Sequence, residues 1–401
     1  MSQTLASPAI APDHVLAGRT ILQIVPDLQS GGAERATIDM AEAIAQAGGR
    51  CLVASRGGRM VSELQSKGGV WVPFPAATKN PFAMALNSVR LARVIRDEGV
   101  DIVHARSRAP AWVAWYATRQ AGARLVTTYH SAYYGASPIK LRYNAIMAAG
   151  DRVIAISEFA AQRIRRLHPE AADRVVVIPR GADLRHFSPE SVSPMRVERL
   201  RAQWEVAAHE RLVLLPARLA ARKGHAVAIE AARRLAEEGA GDIRILFVGD
   251  PHSDSFRRAL EAQIARAGVE SFVQIVGHCD DMPAAYLAAA VIIAPSTEPE
   301  AFGRVAIEAQ AMGAPVIVSD IGASPEIVRA PPQTPPHQAT GWRVPPGDGA
   351  RLSEAIREAL AMTASARDAM TLRARDNVQS RFSVEQMQHA TLEVYRGLVG
   401  R

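Results

Sequence analysis

The second half of the chain contains two cationic residues and two carboxylates whose chemistry and spacing suit the binding of phosphates and hydroxyl groups. Arg218 and Lys223 follow a short apolar run and lie five residues apart in a loop that ends at Gly224. Two cations at this spacing can converge on one diphosphate, and an ammonium group can follow a moving phosphate as a point charge. Lys223 is also the only lysine after residue 140, in a chain that otherwise uses arginine. The loop is therefore predicted to bind a diphosphate, and a solvated basic loop is the simpler alternative.

The two carboxylates, Glu300 and Glu308, lie in a segment that follows a predicted buried strand. A helix beginning near Gly303 would place Glu308 among apolar neighbours, since a helix has ~3.6 residues per turn. A carboxylate in such surroundings needs hydrogen-bond donors, which the two hydroxyls of a ribose would supply. Glu300 is predicted to bind sugar hydroxyls, and the amides of Phe302 and Gly303 to meet the phosphate. An acid/base pair of a glycoside hydrolase is the alternative, but the basic loop fits a diphosphate better.

A pair of glycines, Gly31 and Gly32, follows the first predicted strand and precedes a helix. Glycines there let the backbone approach a ligand closely, and the free amides of a helix start attract phosphate. The spacing differs from the GxGxxG dinucleotide fingerprint, and no acidic residue ends the second predicted strand. The pair is predicted to contact phosphate, and a tight turn is the simpler alternative.

Four more candidates lie in the segments that follow two predicted strands. His130 is predicted to face a cleft at the strand ends, although a histidine there is often structural. Arg106 and Arg108 could meet an acidic sugar or a phosphate, and Trp112 could stack on a sugar ring. Trp112 and Trp115 are three residues apart on a predicted helix, so core packing accounts for them equally well. RNA binding is not expected, because no base-stacking module accompanies the charge.

These residues depend on a scaffold in which short β-branched runs alternate with amphipathic segments rich in Ala, Arg and Leu. That alternation is typical of β-α-β units around a parallel sheet, and it occurs twice along the chain. The predicted strands are 20–25, 50–54, 70–72, 101–104, 124–128, 152–156 and 174–178, then 212–216, 243–248, 272–276, 291–294 and 315–319. The predicted helices are 33–47, 81–98, 109–120, 158–167, 225–238 and 255–267, with two or three more in 348–401. Two doubly wound domains would bind ligands in a cleft at the carboxyl ends of their strands.

Composition restricts the class of protein. The chain has 401 residues, of which 48% are apolar and 22% charged, which fits a globular protein of two or three domains. No apolar run approaches the ~18 residues of a membrane span, and the run at 284–294 contains a tyrosine. Two distant cysteines cannot form a disulfide framework or a zinc site by themselves. Without a basic segment and apolar core at the N-terminus, we expect a soluble cytoplasmic protein.

The net charge of +7 is unevenly distributed. Residues 1–190 hold 23 basic and 15 acidic residues, whereas residues 191–401 hold 24 and 25. A basic half suggests an anionic partner such as nucleic acid or a membrane surface. A base composition that favours arginine would produce the same imbalance without any partner.

In combination these motifs resemble family 4 retaining glycosyltransferases of GT-B fold, and the resemblance covers nearly the whole chain after residue 19. It is carried by Glu300 and Glu308 with seven residues between them, by Arg218 with Lys223-Gly224, by Gly31-Gly32 with Glu34, and by the crossover segment 178–189. It implies two Rossmann-like doubly wound domains facing across a cleft. Residues 1–18 would be a flexible leader, 19–190 the acceptor-binding domain and 191–380 the domain for a nucleotide-sugar donor. Residues 381–401 would form a helix that packs back toward the N-terminal domain.

The resemblance also implies a role for each candidate residue. The catalytic set would be His130, Arg218, Lys223 and Glu300. The donor would be bound by Gly31, Gly32, Arg218, Lys223, Gly249, Asp250, Gly277, Phe302, Gly303 and Glu308. Within that set Glu308 would hold the ribose, Glu300 the sugar, and the backbone at Gly249, Asp250 and Gly277 the base. The acceptor would be bound by Glu34, Arg106, Arg108 and Trp112.

The predicted function is transfer of a hexose from a GDP- or UDP-linked sugar, with retention, to a cell-envelope glycolipid. Lipopolysaccharide core is the predicted acceptor, because the segment 104–115 resembles family members that act on it. No cofactor and no metal are expected, since no Asp-x-Asp pair ends a strand. The partners would be the donor, an anionic glycolipid or saccharide, and the inner surface of the plasma membrane, but no nucleic acid. The alternatives are a GT-B nucleotide-sugar epimerase or phosphorylase, transfer to a soluble or other polysaccharide acceptor, and a non-catalytic carbohydrate or interaction module.

Overall fold

The computed structural model describes residues 14–29, 31–130 and 137–400, so most of the predicted leader lies outside the described residues. They form two compact units. Unit 1 contains the described residues up to Ile178 and those from Gln386 onward, and unit 2 is Pro179–Glu385. The predicted boundary at residue 190 lies inside unit 2, because the segment before it bonds to that unit. Ala182 pairs with Ser383 in an isolated parallel bridge, for example.

Unit 1 is built on a sheet of seven parallel strands. They are β1 (Thr20–Ile24), β2 (Arg50–Ser55), β3 (Gly69–Pro73), β4 (Ile102–Ala105), β5 (Arg124–Tyr129), β6 (Arg152–Ala155) and β7 (Val175–Val177). Their order is β3-β2-β1-β4-β5-β6-β7. Every pair is parallel, as Ile21 opposite both Cys51 and Ile102 illustrates at the centre. The central strands are buried on both faces, which accounts for their nearly continuous apolar sequences.

Six helices of unit 1 connect these strands. They are α1 (Gly32–Gln46), α2 (Val61–Ser66), α3 (Pro81–Asp97), α4 (Arg108–Ala121), α5 (Pro138–Ala145) and α6 (Glu158–Leu167). The sequence pattern does not predict the short α2 and α5. The N-terminus of α3 is set locally, because the Asn80 side chain accepts from the amides of Phe82 and Ala83 and Pro81 begins the helix.

Unit 2 repeats the architecture with six parallel strands. They are β8 (Arg211–Pro216), β9 (Ile243–Val248), β10 (Val273–Gly277), β11 (Val291–Ala294), β12 (Val316–Ser319) and β13 (Trp342–Val344), in the order β10-β9-β8-β11-β12-β13. The helices are α7 (Pro194–Gln203), α8 (His225–Glu237), α9 (Asp254–Ala267), α10 (Met282–Ala288), α11 (Arg304–Ala311), α12 (Ser324–Ile327), α13 (Gly349–Leu360) and α14 (Ala364–Arg381). The prediction of two doubly wound parallel sheets is confirmed.

The strand order of each sheet reverses at its first strand. In unit 2, β8 lies between β9 and β11, so the chain runs outward from β8 in both directions. The loops that follow β8 and β11 diverge at such a switch point and leave a crevice for ligands. These loops contain the predicted cations and the first of the predicted carboxylates.

The last helix, α15 (Val384–Val399), returns the chain to unit 1. Its Tyr395 is fully buried, and the phenol lies 2.5 Å from Nδ1 of His104 on β4. Nε2 of the same ring lies 2.6 Å from Oγ1 of Thr128 on β5. This bonded chain of three side chains links α15 to the centre of the first sheet. Across the part of the chain that the structure describes, no helix is both long enough and apolar enough to span a bilayer.

Candidate active site

Lys223 and Glu300 meet at the switch point of unit 2. Lys223 ends a short 3-10 turn after β8, and Glu300 lies in the loop after β11. The Lys223 ammonium donates to Oε1 of Glu300 at 2.7 Å, and both side chains are about one-fifth exposed, at 19% and 22%. The structure thus joins two predicted catalytic residues that are 77 positions apart in sequence.

The Lys223 loop is held tightly against the segment that follows β11. Gly224 has φ +76°, and a Cβ there would lie only 1.8 Å from the carbonyl oxygen of Pro295. Glycine is therefore required by both the left-handed backbone and the close approach. Two residues further, the amide of Thr297 donates to the carbonyl of Arg222 at 3.0 Å. These contacts fix the loop that carries Lys223 relative to the loop that carries Glu300.

Glu300 is also positioned from its own side. The Ser296 hydroxyl donates to the same carboxylate oxygen that Lys223 contacts. The backbone carbonyl of Glu300 accepts from the amide of Ala323 at 3.0 Å. Gly322, with φ +67°, lets the chain pass so close that a Cβ would lie 2.6 Å from the Glu300 backbone. A carboxylate fixed on both sides in this way keeps one oxygen free of these contacts for a ligand hydroxyl.

Glu308 lies within α11, where only 9% of the residue is exposed. The Tyr286 hydroxyl donates to Oε2 at 2.8 Å, and Nε and Nη2 of Arg304 donate to Oε1 at 3.1 and 2.9 Å. Burial and the adjacent carboxylate raise the pKa of Tyr286 well above its ordinary value, so the phenol stays protonated as a donor. The protein itself thus supplies donors to Glu308. These internal donors leave fewer acceptor positions on the carboxylate than expected, and ribose binding by Glu308 stays a prediction.

Phe302 and Gly303 precede α11. Phe302 is buried and its ring packs edge-on against Phe382 with centroids 6.0 Å apart. Gly303 is the N-cap residue, and no side chain of the described residues caps the helix there. The N-terminus of α11 thus lacks a side-chain cap, and helix N-termini favour anions.

The residues predicted to hold the base lie together at the ends of β9 and β10. The amide of Gly249 donates to the carbonyl of Gly277 at 2.7 Å. A Cβ at Gly249 would lie 2.3 Å from the carbonyl oxygen of Ala217, so this turn also contacts the basic loop. The carbonyl of Asp250 accepts from the amide of Leu219 at 3.0 Å, while its carboxylate is exposed.

Arg218 differs from Lys223 because its side chain is exposed. Within residues 14–29, 31–130 and 137–400 it forms no ion pair, whereas Lys223 is paired with Glu300. The two predicted cations are therefore in different states, one neutralised and one open to solvent.

In unit 1 the glycine pair lies at the start of α1. Gly31 has φ +132°, and a Cβ there would lie 2.5 Å from Oε2 of Glu34. Gly31 and Gly32 are exposed, and Glu34, in the first turn of α1, is half-buried. His130 follows β5 and is partly buried, with residues 131–136 outside the described part of the chain.

The predicted acceptor residues after β4 are largely engaged inside unit 1. Arg106 is only 3% exposed, and its Nε and Nη2 donate to Oε1 of Gln23 on β1 at 3.0 and 2.6 Å. Burial lowers the pKa of Arg106 below its ordinary value. The structure therefore gives Arg106 an internal partner where an anionic acceptor was predicted. Arg108 is partly exposed and donates to Oδ1 of Asn144 at 2.9 Å.

Trp112 belongs to an aromatic cluster on α4. Its ring stacks on Tyr116 at 6.3 Å and meets Trp115 edge-on at 6.1 Å, and it packs against the core of unit 1. Its indole N–H donates to the carbonyl of Tyr143 at 3.2 Å. These contacts agree with a packing role for Trp112, which the spacing on the helix leaves open.

Comparison with known proteins identifies the family. Residues 30–186 match the model described as Glycosyltransferase Family 4, and residues 196–377 match the model described as Glycosyl transferases group 1. A solved glycosyltransferase from Rickettsia africae is 33% identical, with a TM-score of 0.85, over 95% of this chain and 98% of that one. The chain belongs to glycosyltransferase family 4. Membership confirms the prediction of an enzyme that transfers a sugar.

Curated relatives of this family 4 glycosyltransferase include two that are named for inositol compounds. A D-inositol 3-phosphate glycosyltransferase from Nocardia farcinica is 30% identical, matching 59% of this chain and 56% of its own length. The chain thus spans little more than half of that relative. A phosphatidyl-myo-inositol mannosyltransferase from Mycobacterium leprae is 27% identical over 81% of this chain and 83% of its own.

The sequence alone did not identify three residues that contact the candidate site of this family 4 glycosyltransferase. Arg304 precedes Glu308 by four residues, which is the spacing at which helical side chains pair, so a signal was present. Tyr286 interrupts an apolar run, and a buried phenol needs a partner. Ser296 had no distinguishing signal. In the described ranges no three His, Cys, Asp or Glu side chains cluster as a metal site would require, and metal independence stays a prediction.

Proposed function

We propose that this family 4 glycosyltransferase moves a hexose, with retention, from a GDP- or UDP-linked donor to an anionic cell-envelope glycolipid. It would work without a metal, on the cytoplasmic face of the membrane. The observation that carries the proposal is the Lys223–Glu300 pair at the switch point of unit 2, with Glu308 on the helix that follows. Charge would develop on the departing diphosphate while the bond to the sugar loosens, and fixed cations and amides stabilise such charge.

The Lys223–Glu300 pair would exchange partners when the donor binds. In the structure each group neutralises the other across 2.7 Å. A diphosphate would offer Lys223 a stronger anionic partner, and the freed Glu300 carboxylate would accept from sugar hydroxyls. Arg218, which is exposed, would close on the same diphosphate. Each member of the pair would keep a hydrogen-bonding partner at both stages, so neither is desolvated without one.

Glu308 would complete donor binding through the ribose. Three N–H and O–H donors from Arg304 and Tyr286 already bond to its two oxygens. A carboxylate accepts about four hydrogen bonds, so one acceptor position remains for a ribose hydroxyl, and displacement of Arg304 would free two more. The backbone at Gly249 and Gly277 would contact the base.

The acceptor proposal is supported by charge rather than by segment 104–115, whose resemblance to other family members suggests lipopolysaccharide core. Arg106 and Trp112 of that segment have internal partners. The basic balance of residues 1–190 remains, with 23 basic against 15 acidic residues. A phosphorylated core saccharide would suit this charge. The relatives named for inositol compounds favour a second candidate acceptor, a phosphorylated polyol such as an inositol phosphate, which is also anionic.

The test replaces Lys223 with methionine and uses a matched ion pair as control. Lys67 and Glu42, in unit 1, are joined at 2.8 Å with side chains 24% and 22% exposed, which closely matches the Lys223–Glu300 pair. Transfer by Lys223→Met should fall about 10²–10³-fold, the scale for loss of one preorganised stabiliser. Lys67→Met should transfer normally. Equal rates in the two variants would refute the role of Lys223.

The donor and the reaction class are tested with the unmodified protein. A thermal-shift panel of UDP, GDP, ADP and CMP should single out one base, since a ligand at 100 times its Kd adds about 2.7 kcal/mol of stability. Incubation with the donor alone should produce no epimer, and turnover should not require inorganic phosphate. An epimer or a phosphate requirement would establish an epimerase or a phosphorylase, and binding without turnover would indicate a carbohydrate-binding module.

A further inference from the structure

Large apolar side chains are exposed on three neighbouring helices of unit 1. Of the eleven that are exposed among the described residues, six lie on α3, α4 and α5, which have 17, 14 and 8 residues. The six are Phe82, Leu86, Val89, Tyr116, Ile139 and Leu141. Phe82 and Ile139 are 87% and 83% exposed. Such a concentration on about a tenth of the chain indicates a surface that meets an apolar partner.

The same three helices are strongly basic. They contain seven basic residues and one acidic residue, Asp97, whereas the whole chain has 47 and 40. The seven are Arg90, Arg93, Arg96, Arg108, Arg119, Lys140 and Arg142. A partner that suits both properties is apolar inside and anionic at its surface.

Side-chain contacts show that the three helices are neighbours, with α4 in the middle. Arg96 of α3 donates to the carbonyl of Gln120 on α4 at 3.4 Å. Arg108 of α4 donates to Asn144 of α5 at 2.9 Å. We call the exposed side chains of these helices the α3–α5 surface.

Along α3 the apolar and basic residues are separated. Phe82, Leu86 and Val89 are three or four residues apart, so they lie along one face over the first half of the helix. Arg90 and Arg93 continue the exposed face into the second half. An interfacial helix has this division, because its apolar residues enter the acyl boundary while its cations meet anionic head groups.

We propose that the α3–α5 surface docks on an anionic lipid bilayer. Phe82, Leu86 and Ile139 would enter the interface, and the basic residues around them would bind head-group phosphates. A nucleic acid would suit the charge but would leave the most exposed apolar side chains in water. The inference rests on the proposed function only in that a membrane glycolipid is the acceptor the surface would approach.

The experiment measures sedimentation of the full-length protein with lipid vesicles, in the absence of sugar donor. Vesicles of phosphatidylcholine mixed with phosphatidylglycerol should bind the protein, and high salt should weaken binding. Phe82→Ser and Leu86→Ser should each weaken it at least about tenfold, through loss of a buried apolar side chain. The double variant Arg90→Gln, Arg93→Gln should weaken it about 30-fold, since each cation near such a surface contributes about fivefold.

Matched controls lie on exposed parts of unit 2. Leu372 on α14 is 62% exposed, and Arg258 and Arg266 on α9 are also largely accessible. Leu372→Ser and the double variant Arg258→Gln, Arg266→Gln should bind vesicles as the unmodified protein does. Equal loss in the control and test variants would overturn the proposal, as would equal binding to pure phosphatidylcholine.

Two further readouts separate membrane docking from self-association and from a general loss of activity. Analytical ultracentrifugation reports the oligomeric state, and a dimer that Phe82→Ser dissociates would show that the surface binds a second copy instead. Donor hydrolysis in solution should be unchanged by Phe82→Ser. Intact hydrolysis without vesicle binding by the unmodified protein would refute the docking surface alone, whereas vesicle binding without transfer would refute the proposed function alone.

Discussion

Replacing Gly224 with alanine tests whether close packing of two loops positions Lys223. A Cβ at Gly224 would lie 1.8 Å from the carbonyl oxygen of Pro295, and contacts of this kind essentially never fall below 3.0 Å. The obstacle is backbone, so no side-chain rotation can relieve it. The loop must therefore move by about 1 Å or more relative to the segment after β11, and the 2.7 Å hydrogen bond between Lys223 and Glu300 must break or lengthen.

The expected magnitude comes from comparison with Gly268, which ends α9. Its φ of +65° is close to the +76° of Gly224, but no atom lies within 4 Å of a Cβ built there. Gly268→Ala should therefore lose only the ~1–2 kcal/mol of a left-handed alanine. Gly224→Ala should lose this and a further ~1–3 kcal/mol from overpacking. Its rate of transfer should fall on the order of 10²-fold, the usual effect of a misplacement of about 1 Å.

The assay combines urea unfolding, followed by circular dichroism, with transfer rates at saturating donor. Gly268→Ala should retain the rate of the unmodified protein, which separates displacement of the loop from loss of stability. If Gly224→Ala were as stable as Gly268→Ala and transferred sugar at a similar rate, contact with Pro295 would not be what positions Lys223.

Two other residues give sharp expectations. Tyr286→Phe removes the hydroxyl that donates to Glu308 at 2.8 Å. The affinity for the sugar donor, measured by calorimetry, should fall about tenfold, as for loss of one charge-assisted hydrogen bond. An unchanged Kd would contradict the role of Tyr286. Burial lowers the pKa of His225 to about 4. The unfolded chain therefore binds a proton at higher pH than the folded one does. The free energy of unfolding should fall as pH decreases from about 6.5 toward 4. The loss between about pH 7 and about pH 5 should be about 2 kcal/mol, and His225→Phe, which keeps the packing on Phe247 and Phe256, should abolish it. An equal loss in the variant would assign the acid sensitivity to other groups.

Much of the fold could be predicted because strands in parallel sheets are buried on both faces and therefore read as apolar runs. The predicted bounds of β9, β11 and α6 agree with the structure. The strand β13 was missed because it has three residues and a central arginine, Arg343. The helix α7 was missed because it begins at Pro194 in a segment rich in proline, which favours a turn as readily as a helix start.

The candidate site was predictable in its residues but not in their pairing. Lys223 and Glu300 are recognisable separately, and only the adjacency of β8 and β11 brings them into contact. The residue type of Arg106 was misleading. A cation just after a strand suggests a ligand site, but this side chain is buried inside unit 1. A signal for its burial was Gln23, a polar side chain inside the apolar strand β1, which needs an internal partner. Pairing across a sheet depends on topology, which local spacing does not contain.

The return of α15 to unit 1 affects the order in which the protein can be completed on the ribosome. Unit 2 is one continuous stretch, and its last residue, Glu385, is translated before the part of α15 that belongs to unit 1. Tyr395 is synthesised 291 residues after His104, the partner it bonds inside the first sheet. Until then, the surface of unit 1 that α15 covers stays open to solvent and to chaperones. The unit translated first is thus the last to be finished, and the usual order of N-terminal domain before C-terminal domain is reversed.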